Sequence, residues 1–569
     1  MLQWELLHQA SVLKYEHSHF ITRLQLTDRL MNIKCANWFK LIIFSILIFG
    51  IYASYKTSFG IISINSDVVD TGLLWQGVLK HGWGFIKTWN YNYDNWLLSL
   101  FPIHFILFEV FGDHIKLILW FGYLVFLANI LICCWIAYEL GAKLAVPAIA
   151  ILLLYSNYFW YLGGLITFPI THNSTNLYGL ICLLLIIKWT KKPRYLYSLL
   201  ILVFFIIAGI SDPWFLSTYG VPILLTQIYL IKEYINSTDL AKASSYLIIA
   251  ILFSFAAIAT KLFGLLEFSS QKFIVVFTFK NLLAHICNYV KYLGLIFNLL
   301  PGRFNLENHN QFWPSMISFT VMAILAITFN CKFLKVKDKN LAELNYLFTN
   351  IFSILLVSCS FILLYIPKSH FNDFMNARYL INIPFFIIMT ICIVLEKYWN
   401  RFNIVVKIAA FAIGFLYLIT SCYSSNYLWW QKIDTDKNGY YNLLSFLQQN
   451  HLNYGYADYW QANIITWIAH QQVLIRPLTF YDKTGEATSN LHLQSSELWY
   501  QETDLPKEHT TTFIIVQKEN SQCQDQTSCA EKISQQFGKP EKILTYHDEF
   551  IMVWNHPLLS IIQKLPKKY

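Results

Sequence analysis

The feature that most limits what this chain can become is a series of continuous apolar runs, each close to the length that crosses a bilayer as a helix. They fall at 40–55, 115–135, 143–160, 174–189, 195–210, 214–231, 245–264, 314–331, 344–365, 381–396 and 405–422. A hydrocarbon core of about 30 Å takes about 20 helical residues to span. The runs are continuously apolar and do not alternate, which excludes a membrane β-barrel. The expected fold class is an α-helical polytopic membrane protein with about eleven transmembrane helices. Only 13% of residues are charged, against about a quarter in an ordinary soluble domain.

The net charge of +9 raises the question of nucleic acid. The cations are spread over short loops without a basic face or an RNA-binding motif, so no nucleic-acid partner is expected. Lys188, Lys191, Lys192 and Arg194, then Lys232, then Lys332, Lys335, Lys337 and Lys339, then Lys397 and Arg401 occupy loops on one side, together with the basic N-terminus. Positive loops face the cytoplasm, so the N-terminus is expected inside and, with an odd span count, the C-terminal tail outside. The first run lacks a small-residue cleavage site and reads as an anchor, not a signal peptide.

The other face receives longer loops, at 56–114, 161–173, 211–213, 265–313 and 366–380. The first is rich in aromatics (Trp83, Trp89, Tyr91, Tyr93, Trp96), and its apolar run over 96–108 predicts an in-plane helix. Amphipathic aromatic segments settle at the headgroup layer. From about residue 424 the chain becomes polar, with strand-like runs at 510–516 and 550–554 and helical patterns at 442–449 and after 455–460. The chain therefore divides into a membrane domain, 1–423, and a small soluble α/β domain, 424–569.

Two acids lie just beyond the first span. Val69, Leu73, Leu74, Val78 and Leu79 recur at helical spacing, which predicts a short amphipathic helix on the membrane surface with Asp67 at its start and Asp70 one turn on. A carboxylate there can take a proton from a hydroxyl while a lipid-borne reactant arrives from the bilayer side. The plainer alternative is that Ser66 or Asp67 caps the helix and Asp70 supports its dipole. His172 opens a later span, and Asp212 sits in a Ser-Asp-Pro-Trp break where it also suits an N-cap. Arg378 and Tyr379 stand where a late span re-enters from outside, a place where arginine also snorkels. His370 reads as a surface histidine. On this topology two carboxylates, a histidine, a further aspartate and an arginine share one membrane face. Acids that accept protons and a cation that neutralises phosphate form the minimum set for moving a sugar off a lipid phosphate. The span interiors are almost free of charge, unlike those of an ion-coupled transporter.

Nine of the eleven cysteines lie in or near apolar spans, where a thiol behaves as a small hydrophobe. Cys523 and Cys529 lie in the polar tail, six apart, and suit a disulfide in an oxidising compartment.

The order of these parts resembles the GT-C class of polytopic glycosyltransferases: an acidic outer loop after the first span, an aromatic loop with in-plane helices, an Asp-Pro break, a late Arg-Tyr and a soluble C-terminal domain. The stretch 454–463 (YGYADYWQAN) is similar to the start of the outer domain in bacterial members. The first loop departs from the frequent Asp-Glu form by reading Asp67-Val68, which leaves both Asp67 and Asp70 as candidates for the functional acid. The resemblance implies a multi-pass protein of a bacterial inner membrane with a periplasmic C-terminal domain. It further implies a polyprenyl-phosphate-linked sugar donor, a glycan, lipid or protein acceptor, and an inverting transfer. Asp67 would deprotonate the acceptor, and Arg378, Lys272 or Lys280 would meet the leaving phosphate. No cofactor is demanded, although Asp67, Asp70, His172 and Asp212 could supply ligands to a divalent metal. Three other readings stay open, one of them a noncatalytic envelope receptor whose tail binds a ligand. An O-antigen polymerase or ligase would use Arg303 and His309 of the loop 265–313, and a transporter or flippase would need mid-bilayer charge.

Overall fold

The computed structural model describes residues 38–91, 94–162, 165–234, 247–248, 251, 289, 292–297, 374–434, 436–480, 486–489, 494–502, 511–517 and 526–565. The expected spans 314–331 and 344–365, almost all of 245–264, His370 and the loop residues Lys272, Lys280, Arg303 and His309 lie outside these. So does Cys523, and the side chain of Cys529 likewise, so the expected disulfide is not described.

The first expected span is α1, Trp38–Ile61. Asn65 then accepts a bond from the Val68 amide at 3.1 Å and caps α2, Ser66–His81. Ser66 and Asp67 are thus not the cap. Nor does α2 lie on the membrane as an amphipathic ribbon, since its side chains from Val68 to Val78 are buried on all sides and only its last turn, with Leu79, is exposed. The reason is tertiary: a helix from the C-terminal part of the chain, Tyr459–Ile468, lies on the face that a free in-plane helix would turn to water. A 3-10 turn, Trp83–Thr88, and the short strand β1, Trp89–Asn90, lead to the second outer helix, α3, Phe101–Phe111.

α4, Ile115–Glu139, crosses next. The expected span 143–160 is two pieces, α5 (Ala145–Leu154) and α6 (Tyr158–Leu162). The break comes at Asn157, whose side-chain oxygen accepts from the Trp160 amide at 2.8 Å and starts a new helix. α7 (His172–Lys191) and α8 (Tyr195–Ser211) follow, then a π-helical turn, Leu216–Gly220, that feeds α9, Val221–Tyr234. After the 3-10 turn Phe374–Leu380 come α10, Asn382–Tyr398, and α11, Ile404–Trp429, which carries helix past residue 424. Among the described residues four helical segments, beginning at Trp38, Ile115, Ala377 and Ile404, are long and apolar enough to cross a membrane alone.

A buried polar ladder ties α4, α7 and the π-helical turn together. Asn129 Nδ2 donates to Asn173 Oδ1 at 2.9 Å, Asn176 Nδ2 donates to Asn129 Oδ1 at 2.9 Å, and the Tyr219 hydroxyl donates to Asn176. Interhelical bonds of this kind contribute about 0.6 kcal/mol each, so they fix register more than they add stability. At the far end of α4, Glu139 meets Lys191 at 2.6 Å and Lys188 at 3.6 Å.

The C-terminal domain is a mixed sheet with helices. It comprises α12 (Tyr440–Gln449), β2 (Tyr454–Ala457), α13 (Tyr459–Ile468), β3 (Leu474–Pro477), β4 (Thr479–Phe480), β5 (Ala487–Ser489), β6 (Ser495–Ser496), β7 (Thr512–Gln517), α14 (Gln526–Phe537), β8 (Lys542–Tyr546), β9 (Glu549–Trp554) and α15 (Leu559–Ile562). Five strands form one sheet in the order β3-β2-β7-β9-β8. β2 is parallel to both β3 and β7, and β2-α13-β3 is the crossover that parallel neighbours require. The runs expected to be strands at 510–516 and 550–554 are the antiparallel neighbours β7 and β9.

Two seams join this domain to the segment between α1 and α4. β1 pairs antiparallel with β6, where Trp89 Nε1 donates to Gln494 Oε1 at 2.9 Å. α13 packs on α2, and here Gly72 is required by proximity: a Cβ on it would lie 2.6 Å from the Trp467 indole. That ring is 1% exposed and has nowhere to retreat. Gly72→Ala is therefore expected to destabilise the seam by about 1–3 kcal/mol through overpacking, read as earlier release of the C-terminal domain in limited proteolysis.

Candidate active site

The carboxyls of Asp67 and Asp70 lie one turn apart on α2 and converge on one hydroxyl. Tyr459 Oη, from the first turn of α13, is 2.6 Å from Asp67 Oδ1 and 2.7 Å from Asp70 Oδ2. Asn463, one turn further along α13, donates from Nδ2 to Asp70 Oδ1 and to the Gln494 carbonyl, both at 3.0 Å. The placement follows from local signals: Asp458 caps α13 by accepting from the Trp460 and Gln461 amides, and Ser66 Oγ bonds the Tyr459 carbonyl at 2.6 Å. Tyr459 and Asn463 are four apart and so share a helix face. Beneath the pair, Thr71 Oγ1 lies 3.0 Å from Nδ1 of His104 on α3. Burial holds that imidazole neutral, with its pKa pushed down to about 3.

The two acids are not alike. Asp70 is 4% exposed and Asp67 half-buried. Burial raises the pKa of both; for Asp70 the negative charge of Asp67 adds to it, while the charge of Arg378 pulls Asp67 back down. Arg378 thus acts on Asp67 across the site, from the turn before α10.

A second cluster lies beside it. Asp212 Oδ2 is 2.7 Å from His172 Nδ1 and accepts from Thr175 Oγ1 at 2.7 Å, while Oδ1 accepts from the Trp214 amide at 3.0 Å. Asp212 therefore caps the turn after α8, as its place in the sequence suits, and also grips His172, a contact the sequence did not announce. The imidazole stacks on Trp214 with centroids 4.9 Å apart and an interplanar angle of 18°, and the Tyr379 ring lies 5.2 Å away. Trp214 Nε1 donates to the Tyr379 carbonyl at 2.9 Å, which ties α9's entry to the turn carrying Arg378. The Arg378 guanidinium sits over the Tyr379 ring, 5.3 Å from its centroid.

Asp94, missed by sequence reasoning, adjoins the second cluster, and Arg378, which feels both Asp94 and Asp67, links the two. Its carboxyl, raised by burial, feels the charges of His172 and Arg378, which lower it, and of Asp212, which raises it further. Its position is set by α8, whose free C-terminal carbonyls take up the outer loop: Asn95 Nδ2 donates to the Ile210 carbonyl at 2.9 Å and the Trp96 amide to the Ser211 carbonyl at 3.1 Å. Trp96 turns there with φ of 55°, a costly conformation for a bulky residue, and its ring lies 5.9 Å from that of His172. Asp94 lay unmarked in an aromatic loop. Tyr459 and Asn463 lay in the stretch 454–463, whose i, i+4 polar pair was the available signal.

The six residues singled out from the sequence, Asp67, Asp70, His172, Asp212, Arg378 and Tyr379, occur in these two neighbouring clusters. Among the described residues no three His, Cys, Asp or Glu side chains are grouped as a metal site.

No protein-family model matches this chain, and no curated protein matches its sequence. Among solved structures it is similar to an oligosaccharyltransferase of Archaeoglobus fulgidus in complex with Zn and sulfate, at 11% identity and a TM-score of 0.39, over 76% of this chain and 62% of that one. It is also similar to ArnT from Cupriavidus metallidurans in the apo state, at 10% identity and a TM-score of 0.43, over 93% of this chain and 99% of that one. The chain thus spans about three fifths of the length of the archaeal protein.

Proposed function

We propose that this protein is a GT-C-type membrane glycosyltransferase that moves a sugar from a polyprenyl-phosphate donor to an acceptor hydroxyl at the outer face of a bacterial inner membrane, with inversion. The observation that carries the reading is that Asp67, a half-buried carboxylate just outside α1, lies within electrostatic reach of Arg378 on a distant part of the chain. An acid and a cation so placed divide the work of an in-line displacement. Asp67 takes the acceptor's hydroxyl proton, the acceptor oxygen bonds the anomeric carbon, and the carbon–oxygen bond to phosphate breaks with its electron pair going to the lipid phosphate. Arg378 meets the charge that develops there. Asp94 offers an acceptor, and the His172 ring, held by Asp212 and stacked on Trp214, a donor, for sugar hydroxyls. The acceptor is a glycan, lipid or protein, and the C-terminal domain lies in the periplasm.

The test is transfer of labelled sugar from a panel of synthetic polyprenyl-phosphate sugars by purified protein, alongside the envelope glycans of a deletion strain compared with its parent. Transfer from none of the donors, with unchanged glycans, would refute the reading. Arg378→Ala should raise the KM for the lipid donor at least about tenfold, from the ~1.5–3 kcal/mol that a hydrogen bond to a charged group contributes. An unchanged KM would remove Arg378 from the phosphate site.

A further inference from the structure

The hydrogen count around Tyr459 distinguishes the two acids. A phenol has one hydrogen to donate, and an ionised carboxylate only accepts. Yet Tyr459 Oη lies at bonding distance from two carboxyl oxygens, 2.6 Å from Asp67 and 2.7 Å from Asp70. Both contacts are hydrogen bonds only if a second proton is present, and only a carboxyl can carry it. Asp70 is the acid that is almost fully enclosed, whereas Asp67 is half-buried and under the influence of Arg378. The remaining Asp70 oxygen accepts from Asn463, a bond that a neutral acid's carbonyl oxygen makes as well as a carboxylate does.

We propose that Asp70 is held as a neutral acid that donates to Tyr459, that Tyr459 donates in turn to an ionised Asp67, and that Tyr459 is a positioning residue through which the C-terminal domain sets the basicity of Asp67. This rests on the transferase reading for its kinetic consequence but not for the protonation itself. The directions agree with the assignment: burial and the charge of Asp67 together hold Asp70 well above the ordinary carboxyl value, whereas burial raises Asp67 and the charge of Arg378 draws it back. The groups acting on the pair are Tyr459 and Asn463 from α13 and Arg378 from the turn before α10; α3 presents the neutral His104. Among the described residues no charge on α4 or on the Trp83–Thr88 turn acts on either carboxyl.

The sign of the pH effect follows. The bond from Tyr459 lowers the pKa of Asp67, so removing it raises that pKa and moves the acidic limb of the kcat/KM profile to higher pH. Tyr459→Phe is expected to shift this limb upward by about one unit, a tenfold change in the proton affinity of the base, with the donor KM unchanged. Asp70→Asn, whose amide replaces the neutral acid's donor, should cost far less transfer than Asp67→Asn, which loses it. An acidic limb unmoved in Tyr459→Phe, or Asp70→Asn as inactive as Asp67→Asn, would overturn the proposal.

A readout independent of catalysis separates this idea from the choice of reaction. In infrared spectra of the full-length protein at neutral pH, in an ester-free detergent, the carbonyl stretch of a protonated carboxylic acid should be present in wild type and Asp67→Asn and lost in Asp70→Asn. Its persistence in Asp70→Asn would refute the assignment even if sugar transfer were established. Its loss there would uphold the assignment even if every donor failed.

Discussion

Asp67→Asn is expected, on the proposed transferase reading, to abolish sugar transfer, by a factor of about 10²–10⁴, while the protein remains in the membrane at its normal level. The substitution keeps the shape of the side chain and its contact with Tyr459 but removes the basic carboxylate that, on that reading, takes the acceptor's proton. Asn65 caps α2 and the buried contacts of Val68 to Val78 hold it, so folding does not depend on the charge of Asp67. Labelled-sugar transfer by purified variant, normalised to protein recovered from membranes, makes the measurement. Transfer at the wild-type rate would show that the base lies elsewhere.

The second large effect falls on stability. Asp212, 1% exposed, satisfies three donors at once: the His172 ring, the Thr175 hydroxyl and the Trp214 amide. Asp212→Ala leaves all three in a space closed by Trp214, and breaking such a buried arrangement costs about 3–5 kcal/mol. Asp212→Asn keeps an acceptor for Trp214 and a donor toward Thr175, and should lose well under half as much. Thermal unfolding of the purified protein, followed by tryptophan fluorescence, should rank wild type above Asp212→Asn above Asp212→Ala. Equal midpoints for wild type and Asp212→Ala would mean that the cluster contributes nothing to holding α7, α8 and α9 together.

Asp70 adds a pH dependence of its own. Its carboxyl is raised well above the ordinary value in the fold, so the folded state binds the proton more tightly than the unfolded chain. The associated stability is fully present below the unfolded value and is lost as pH rises through the raised one. Asp70→Asn removes that loss, so its unfolding midpoint should fall less than that of wild type between weakly acidic and alkaline pH.

The apolar helices and the strands near the C-terminus were legible because hydrophobic runs and strand alternation are local properties. The same holds for the start of α7 at His172 and for the strands β7 and β9. Other features were not. The run over 143–160 is apolar throughout, and only the side-chain cap at Asn157 divides it. α2 has the spacing of a surface helix, but α13 covers the face that would meet water. Asp94 carries no local mark at all; the carbonyls at the end of α8 place it, more than a hundred residues away.

By itself the sequence determined a polytopic helical protein with a small α/β domain after its last described span, and it identified acids, a histidine and an arginine at candidate loop ends. Only the tertiary structure decided which of them act on one another. Helix formation and membrane insertion depend on neighbours within a few turns. The protonation of a carboxyl depends on what is packed around it, and for Asp67 and Asp70 that is a tyrosine almost four hundred residues further along the chain.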